Sequence, residues 1–269
     1  MRNLLITLRF DGQAYHGWQV QPNGVTVQQR VQDAVEAVTG VRSAVTGCSR
    51  TDAGVHAMMY CCNFRTEHTI PAERLTHALN AHLPRDIAVY GCQEVPLEFH
   101  ARYDCKGKEY VYRIWNSRVR NPFWEGRALH YPYAIDVAYL NRQAQDFVGR
   151  HDFSAFCAAG GSVEDHVRTV RAARVERRGE IVSFHVEADG FLYHMVRIMA
   201  GTLLSLEQGK LCSGAIPELL GGLDRSGAGI TAPSQGLYLN RVFYEAAGWP
   251  EETGNGPMSG GNNKGGIAP

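Results

Sequence analysis

The most chemically suggestive stretch of the sequence places an arginine, an aspartate and a histidine around two glycines. It reads Gly47-Cys48-Ser49-Arg50-Thr51-Asp52-Ala53-Gly54-Val55-His56-Ala57. Glycine permits tight turns and close approach of another molecule, so this segment could present the Asp52 carboxylate at the floor of a cleft. An ordinary turn with an exposed Arg–Asp pair would fit the same residues, so the segment alone does not define a site.

A second candidate is an arginine isolated in an apolar segment. Between Gly190 and Leu206 the only Asp, Glu, Lys or Arg is Arg197. A helix that is apolar on nearly all sides is buried, and an unpaired buried charge is very costly. Arg197 therefore needs an anionic partner, and Asp52 is the candidate.

A third candidate is the segment Lys108-Glu109-Tyr110-Val111-Tyr112-Arg113. On a strand, Lys108, Tyr110 and Tyr112 would share one face. A tyrosine beside a basic strand face suits stacking on an exposed nucleobase. A tyrosine pair packed in the core of a sheet is the alternative.

The composition does not indicate a nucleic-acid partner, because 27 basic and 27 acidic residues give zero net charge. A phosphate-binding face would have to come from local clusters. Two basic runs exist, and a solvated strand face is the alternative for both. Their members are Arg102, Lys106, Lys108, Arg113, Arg118, Arg120 and Arg127, then Arg168, Arg171, Arg174, Arg177 and Arg178.

Several classes of protein are disfavoured by the sequence. No apolar run is long enough to span a membrane, and no signal peptide is expected at the N-terminus. The seven cysteines form no CxxC pair, which predicts reduced thiols in the cytoplasm and no metal site.

The elements that must position these residues follow from periodicity and capping signals. Each half of the chain predicts the order β-α-β-β-α-β, the split βαβ or ferredoxin-like unit. We therefore expect an α+β fold of two such halves, whose antiparallel sheets flank a central basic cleft. The predicted units are 1–105, 106–246 and a disordered tail at 247–269.

Some elements are predicted in detail. Leu4, Ile6, Leu8 and Phe10 alternate with Leu5, Thr7 and Arg9, a period of two that predicts a strand. The signature Thr26-Val27-Gln28-Gln29 predicts the start of a helix. The remaining strands are expected at 43–48, 57–65, 87–90, 108–115, on both sides of the turn 178–180, and at 236–243; the remaining helices are expected at 71–83, 136–149 and 191–208.

Taken together, these motifs resemble the TruA family of transfer RNA pseudouridine synthases, in order, from residue 3 to about residue 245. The Arg50–Ala57 and Gly190–Arg197 motifs at this separation carry the most specificity. The other matching motifs are Phe10-Asp11-Gly12, Tyr15-His16-Gly17-Trp18-Gln19-Val20-Gln21, Thr26-Val27-Gln28, Leu79-Asn80, Leu83-Pro84-Arg85-Asp86-Ile87, Phe99-His100-Ala101-Arg102, Lys108-Glu109-Tyr110-Val111-Tyr112, His151-Asp152-Phe153, Ala232-Pro233 and Gly236-Leu237-Tyr238-Leu239.

The resemblance implies an isomerase that converts uridine to pseudouridine at positions 38, 39 and 40 of the transfer RNA anticodon stem-loop. It implies that Asp52 is catalytic, Tyr110 contacts the target base, Arg197 pairs with the aspartate and Arg50 helps to extrude the base. It also implies a cytoplasmic homodimer that binds transfer RNA and needs no metal, no cofactor and no membrane.

Three other readings stay open from the residues alone. A non-catalytic RNA-binding module could use the same paired sheets, but it would not require a lone buried arginine opposite an aspartate between two glycines. An Asp-dependent hydrolase or lyase of a small molecule would leave the basic runs unused. A structural protein is the least favoured alternative.

Overall fold

The structure is a computed structural model that describes residues 1–161 and 163–244. The predicted disordered tail, 247–269, lies outside the described residues. The described chain contains both α-helices and a single large β-sheet, as expected for an α+β protein. No helix in the described part of the chain is long and apolar enough to cross a membrane.

The first half of the chain supplies four neighbouring strands of the sheet in the order β4-β1-β3-β2. All of its neighbouring strand pairs are antiparallel. Its elements are β1 (Arg2–Phe10), α1 (Val27–Thr39), β2 (Val45–Gly47), β3 (His56–Thr66), α2 (Ala72–His82) and β4 (Ile87–Val95).

Helix α1 begins where the sequence predicted. The Thr26 hydroxyl accepts a hydrogen bond from the Gln29 N–H at 3.3 Å, which satisfies one of the unpaired donors of the first turn. Val27, Val31 and Val35 are buried on one face of the helix. The helix ends at Gly40, whose φ of 73° is a left-handed conformation that favours glycine.

Strand β1 lies where the alternation predicted a strand, and it is buried on both faces. Leu5 and Thr7 are buried along with Leu4, Ile6 and Leu8. The strand lies between β3 and β4 in the interior of the sheet, and residues on both of its faces are buried. The alternation in the sequence therefore does not mark one solvent-exposed face.

The second half supplies five strands in the order β10-β5-β9-β8-β7, with the short β6 beside β5. The pairs along this order are antiparallel. Its elements are β5 (Cys105–Trp115), β6 (Leu129–His130), α3 (Val137–Ala144), β7 (Gly149–Asp152), β8 (Val167–Arg178), β9 (Ile181–Ala188), α4 (Met195–Glu207), α5 (Ala215–Gly222) and β10 (Leu237–Tyr244).

The strands of the two halves join into one sheet of ten strands. The joint is a parallel pairing of β10 with β3, in which Tyr238 lies opposite His56 and Leu239 lies opposite Ala57. Because β3 begins at His56, the joint lies at the end of the segment 47–57. The last strand of the second half thus pairs with the end of the candidate segment and joins it to the second half.

Two helices are shorter than predicted. Helix α3 ends at Ala144 and is followed by a 3₁₀ turn at Gln145–Phe147. Helix α4 begins at Met195 and not near residue 191. The residues before it form a turn in which the Ala158 N–H donates to the Tyr193 carbonyl at 3.1 Å, and this turn carries side chains into the cleft described below.

Candidate active site

The Asp52 loop (residues 47–57) connects β2 to β3 and is fixed by the segment that follows β1. The Trp18 N–H donates to the Thr51 carbonyl at 3.1 Å, and the Gly54 N–H donates to the Tyr15 carbonyl at 3.2 Å. Gly17 allows this approach, because it has a φ of 80° and a Cβ there would lie 2.3 Å from the Thr51 carbonyl oxygen. The position of Asp52 therefore depends on backbone contacts between its loop and the segment that contains Gly17.

Asp52 forms an ion pair with Arg197, as the sequence predicted. The Arg197 Nη1 donates to Asp52 Oδ2 at 3.0 Å. The Asp52 side chain is 24% exposed, and the Arg197 side chain is 15% exposed. Within the described part of the chain, Asp52 Oδ1 accepts no hydrogen bond, so one carboxylate oxygen stays available to a ligand.

The guanidinium of Arg197 is held by the backbone before β10. Its Nε donates to the Ala232 carbonyl at 2.7 Å, and the Ala232 N–H donates to the Arg197 carbonyl at 3.1 Å. The Pro233 carbonyl accepts a hydrogen bond from the Tyr112 hydroxyl at 2.8 Å. The bonds to the Ala232 carbonyl and to Asp52 together orient the Arg197 guanidinium toward the carboxylate.

His194 is a site residue that the sequence analysis did not single out. Its Nε2 lies 3.3 Å from Asp52 Oδ2. Burial lowers the pKa of His194, and Arg197 lowers it further, although the Asp52 carboxylate opposes both. The imidazole is therefore neutral near pH 7 and can donate one hydrogen bond.

The position of His194 depends on an uncommon backbone conformation. The residue has a φ of 60° and stands directly before the first residue of α4. Positive φ is uncommon for residues other than glycine, and nothing in the local sequence predicts it. The only available signal was that a histidine stands at the start of an apolar helix.

Tyr110 lies beside the Asp52 loop, on β5. Its hydroxyl is 3.1 Å from the Ser49 hydroxyl, and its ring packs edge-on against Phe191 with centroids 4.9 Å apart. The residue is 6% exposed, and burial raises the pKa of its hydroxyl, so it stays protonated. The tyrosine packs in the sheet and also lines the cleft, and its stacking on a nucleobase stays a prediction.

Asp52, Tyr110 and His194 line one cleft of about 450 Å³. Arg197 is not among its lining residues and reaches the site through its ion pair with Asp52. The Asp52 loop, β5 and the turn before α4 form its walls. Three basic side chains, Arg50, Arg102 and Lys108, also line it. Arg50 and Arg102 are exposed, and neither pairs with an acidic side chain in residues 1–161 and 163–244.

The arginines of the second basic run do not line the cleft. These arginines on β8 have partners within the protein: Arg171 donates to the Lys106 carbonyl, Arg174 lies 3.5 Å from Glu109, Arg177 donates to Asn116 and Arg178 lies 3.3 Å from Glu176. Phosphate binding by this run stays a prediction. The unpaired guanidinium groups of Arg50 and Arg102 are better placed for that role.

The described residues contain no group of three or more His, Cys, Asp or Glu side chains that could hold a metal ion. Three of the cysteines, Cys48, Cys61 and Cys62, are buried. The polar side chains that line the cleft include one carboxylate, one histidine, two tyrosines, two hydroxyl groups from Ser49 and Thr51, and three cations. This set suits acid–base or covalent chemistry on an anionic ligand.

Comparison with known proteins defines the class. The family described as "tRNA pseudouridine synthase" matches residues 6–104 and 143–245. The chain belongs to this family, as its motifs predicted, and it is an isomerase.

Curated relatives carry a more particular name. A protein of Ruminiclostridium cellulolyticum named tRNA pseudouridine synthase A is 45% identical over 245 residues, which cover 91% of this chain and 100% of that relative. The protein of the same name from Acetivibrio thermocellus is 44% identical over 244 residues, with the same coverage of both chains. Among solved structures, a chain of a Cbf5-Nop10-Gar1 complex is a weak likeness, at 14% identity and a TM-score of 0.36, over 91% of this chain and 60% of that chain.

Proposed function

We propose that this chain isomerises uridine to pseudouridine at positions 38, 39 and 40 of the transfer RNA anticodon stem-loop. The observation that carries the proposal is the Asp52 carboxylate, held by Arg197 in a cleft with one oxygen left open. The relatives named tRNA pseudouridine synthase A support the choice of substrate.

The proposed reaction requires no redox change and no group transfer. The bond between N1 of the base and C1′ of the ribose breaks, the base rotates, and C5 bonds to C1′. C5 loses a proton and N1 gains one, so atoms and electrons balance. Asp52 would act either as a nucleophile toward the base or as a base toward the ribose with a glycal intermediate.

The other site residues have distinct proposed roles. Arg197 would keep the Asp52 carboxylate ionised and oriented, because a guanidinium stays protonated under working conditions. Tyr110 would pack against the target base. Arg50 would contact the RNA while the base is extruded, since chemistry on a stacked base requires extrusion.

We further propose that the chain is built of two ferredoxin-like halves, 1–105 and 106–246, around a basic cleft. The strand order β4-β1-β3-β2 and the order β10-β5-β9-β8 each correspond to the split βαβ unit. The cations Arg50, Arg102 and Lys108 make the cleft between them basic. We also propose that the chain forms a homodimer that acts on transfer RNA in the cytoplasm.

The test is release of tritium from transfer RNA that carries tritium at C5 of its uridines. We expect release from a transfer RNA with uridine at 38, 39 or 40. A matched transfer RNA with cytidine at all three positions should give none. Equal release from both transfer RNAs would contradict the proposed positions. Binding without any release would contradict the proposed reaction.

A further inference from the structure

A second, smaller cavity of about 210 Å³ adjoins the active-site cleft. Ser49, Arg50 and Arg102 line both spaces. Pockets that enclose a complete small ligand measure roughly 300–1,000 Å³. The smaller cavity is therefore a neighbouring subsite of the cleft and not a separate ligand pocket.

A stacked pair of rings, the exposed Tyr103 and the half-buried His100, lines this cavity. The ring of Tyr103 is stacked on the ring of His100, with centroids 4.2 Å apart and planes 27° apart. Tyr103 is nevertheless 75% exposed, so most of its ring remains open to solvent. Exposed aromatic rings beside basic groups are the usual platforms on which proteins stack unpaired bases.

The turn that carries this pair is anchored. The His100 Nδ1 accepts hydrogen bonds from the backbone N–H groups of Arg102 and Tyr103, both at 3.2 Å. Ala101 is fully buried, its N–H donates to the Asn63 side chain at 2.9 Å, and its carbonyl accepts the Tyr244 hydroxyl at 2.6 Å. The backbone of the turn is thus fixed before any ligand arrives, which lowers the entropy cost of binding.

The charges at the boundary of the two spaces match a phosphate. Arg50 and Arg102 lack an acidic partner within the described ranges. The Arg102 guanidinium lies 6.0 Å from the centre of the Tyr103 ring. A phosphodiester that leaves the first space and enters the second would pass these two cations, which suits the charge-assisted hydrogen bonds that arginine makes with phosphate.

We infer that the smaller cavity binds the nucleotide next to the target uridine in the RNA chain. Its base would stack on Tyr103, and the phosphate that joins it to the target nucleoside would contact Arg102 and Arg50. This inference rests on the proposed function and adds a second base-binding position to it. The base is recognised by stacking, so the subsite accepts any of the four bases.

The test compares three anticodon stem-loop RNAs that share one target uridine. The first is intact, the second lacks the base 5′ of the target, and the third lacks the base 3′ of it. Tyr103→Ala is compared with Tyr103→Phe, which keeps the ring, and with Tyr133→Ala, which removes a 69% exposed tyrosine that lines neither cavity. The readouts are the binding constant and the rate of tritium release in a single turnover.

Tyr103→Ala should weaken binding of the intact RNA by roughly 5- to 100-fold, the usual worth of one stacked base. For one of the two abasic RNAs, Tyr103→Ala and wild type should bind equally. Tyr103→Phe and Tyr133→Ala should bind all three RNAs as wild type does. No loss in Tyr103→Ala, or the same loss on all three RNAs, would overturn the inference.

The same measurements separate this inference from the proposed function. If the wild-type protein releases tritium and Tyr103→Ala behaves as wild type on every RNA, only the subsite is wrong. If the wild-type protein releases none from the intact RNA, the proposed function itself fails, whatever Tyr103 contributes to binding.

Discussion

Asp52 and Glu109 each lie beside an arginine and a histidine, yet they differ in whether an oxygen of the carboxylate is left without a partner among the residues that the structure describes. Asp52 is 24% exposed at the cleft, and both Arg197 and His194 approach the same oxygen, Oδ2. The Glu109 side chain is 8% exposed, and both of its oxygens are engaged. Oε1 lies 3.2 Å from His185 and 3.5 Å from Arg174, while Oε2 accepts a hydrogen bond from Asn240 at 2.7 Å.

Asp52 and Glu109 thus have different roles, although their neighbours are of the same residue types. Burial alone would raise the pKa of Glu109, but the hydrogen bonds from His185 and Asn240 outweigh it and lower that pKa to about 2. A carboxylate with both oxygens occupied stabilises the fold and is a poor nucleophile or base. Asp52 keeps one oxygen for a substrate, which is what a reacting carboxylate requires.

The largest expected difference between the two clusters is in catalysis. Arg197→Met keeps much of the side-chain volume but removes the cation beside Asp52, so turnover should fall by roughly 100- to 1,000-fold, as on loss of one key electrostatic contact in other enzymes. The matched control is Arg174→Met beside Glu109, which should turn over at nearly the wild-type rate. Equal rates for the two variants in single-turnover tritium release would refute the assignment of Arg197.

The second difference is in stability. Because the pKa of Glu109 falls from 4.5 to about 2 on folding, its ionised form contributes about 3 kcal/mol to the free energy of unfolding. That contribution is present above about pH 4.5 and is lost as the pH falls toward 2.

Glu109→Gln should therefore lower the stability at pH 7 by roughly 1–3 kcal/mol and flatten the dependence of stability on pH between about 4.5 and 2. Urea unfolding across this range measures both effects. If the wild type and Glu109→Gln lost stability in parallel as the pH fell, Glu109 would not be the titrating group.

A smaller effect should distinguish the arginines of the cleft from those of β8. Arg102→Ala removes an unpaired guanidinium, so RNA affinity should fall by about tenfold and the slope of log affinity against log salt should drop by about one. Arg177→Ala removes an arginine that already donates to Asn116, and its salt slope should match the wild type. A larger change in Arg177→Ala would place the RNA on β8 instead.

The smallest expected effect concerns His194. Since burial and Arg197 lower its pKa, turnover should be flat from about pH 7.5 to 6.5 and decline only below that range, when the protonated ring competes with Arg197 for Asp52. His194→Gln keeps an N–H donor and removes the titration, so its rate should fall by less than about tenfold and decline less steeply in acid. Superimposable pH–rate profiles would exclude this role.

These comparisons also show which features could be read from the sequence. The pairing of Arg197 with Asp52 could be predicted, because Arg197 is the lone charge in an apolar helix and a buried cation requires a partner. The Thr26 cap gave the start of α1, because capping is a local interaction. Both features depend on residues whose chemistry leaves few alternatives.

The missed features depend on contacts between distant parts of the chain. His194 reaches Asp52 because the turn before α4 is held by Ala158, and no local signal predicts its positive φ. The burial of Leu5 and Thr7 depends on the layers that cover β1. The pairing of β10 with β3, which merges the strands into one sheet, joins segments far apart in the sequence.

The central claim is that Asp52 performs the chemistry, and one measurement tests it most directly. Asp52→Asn keeps the shape of the side chain and removes its charge. In a single-turnover assay with C5-tritiated transfer RNA, we expect no detectable release by this variant, while its affinity for transfer RNA stays within a few-fold of wild type because the phosphate contacts lie elsewhere. Release by Asp52→Asn at the wild-type rate would show that another group is the catalyst.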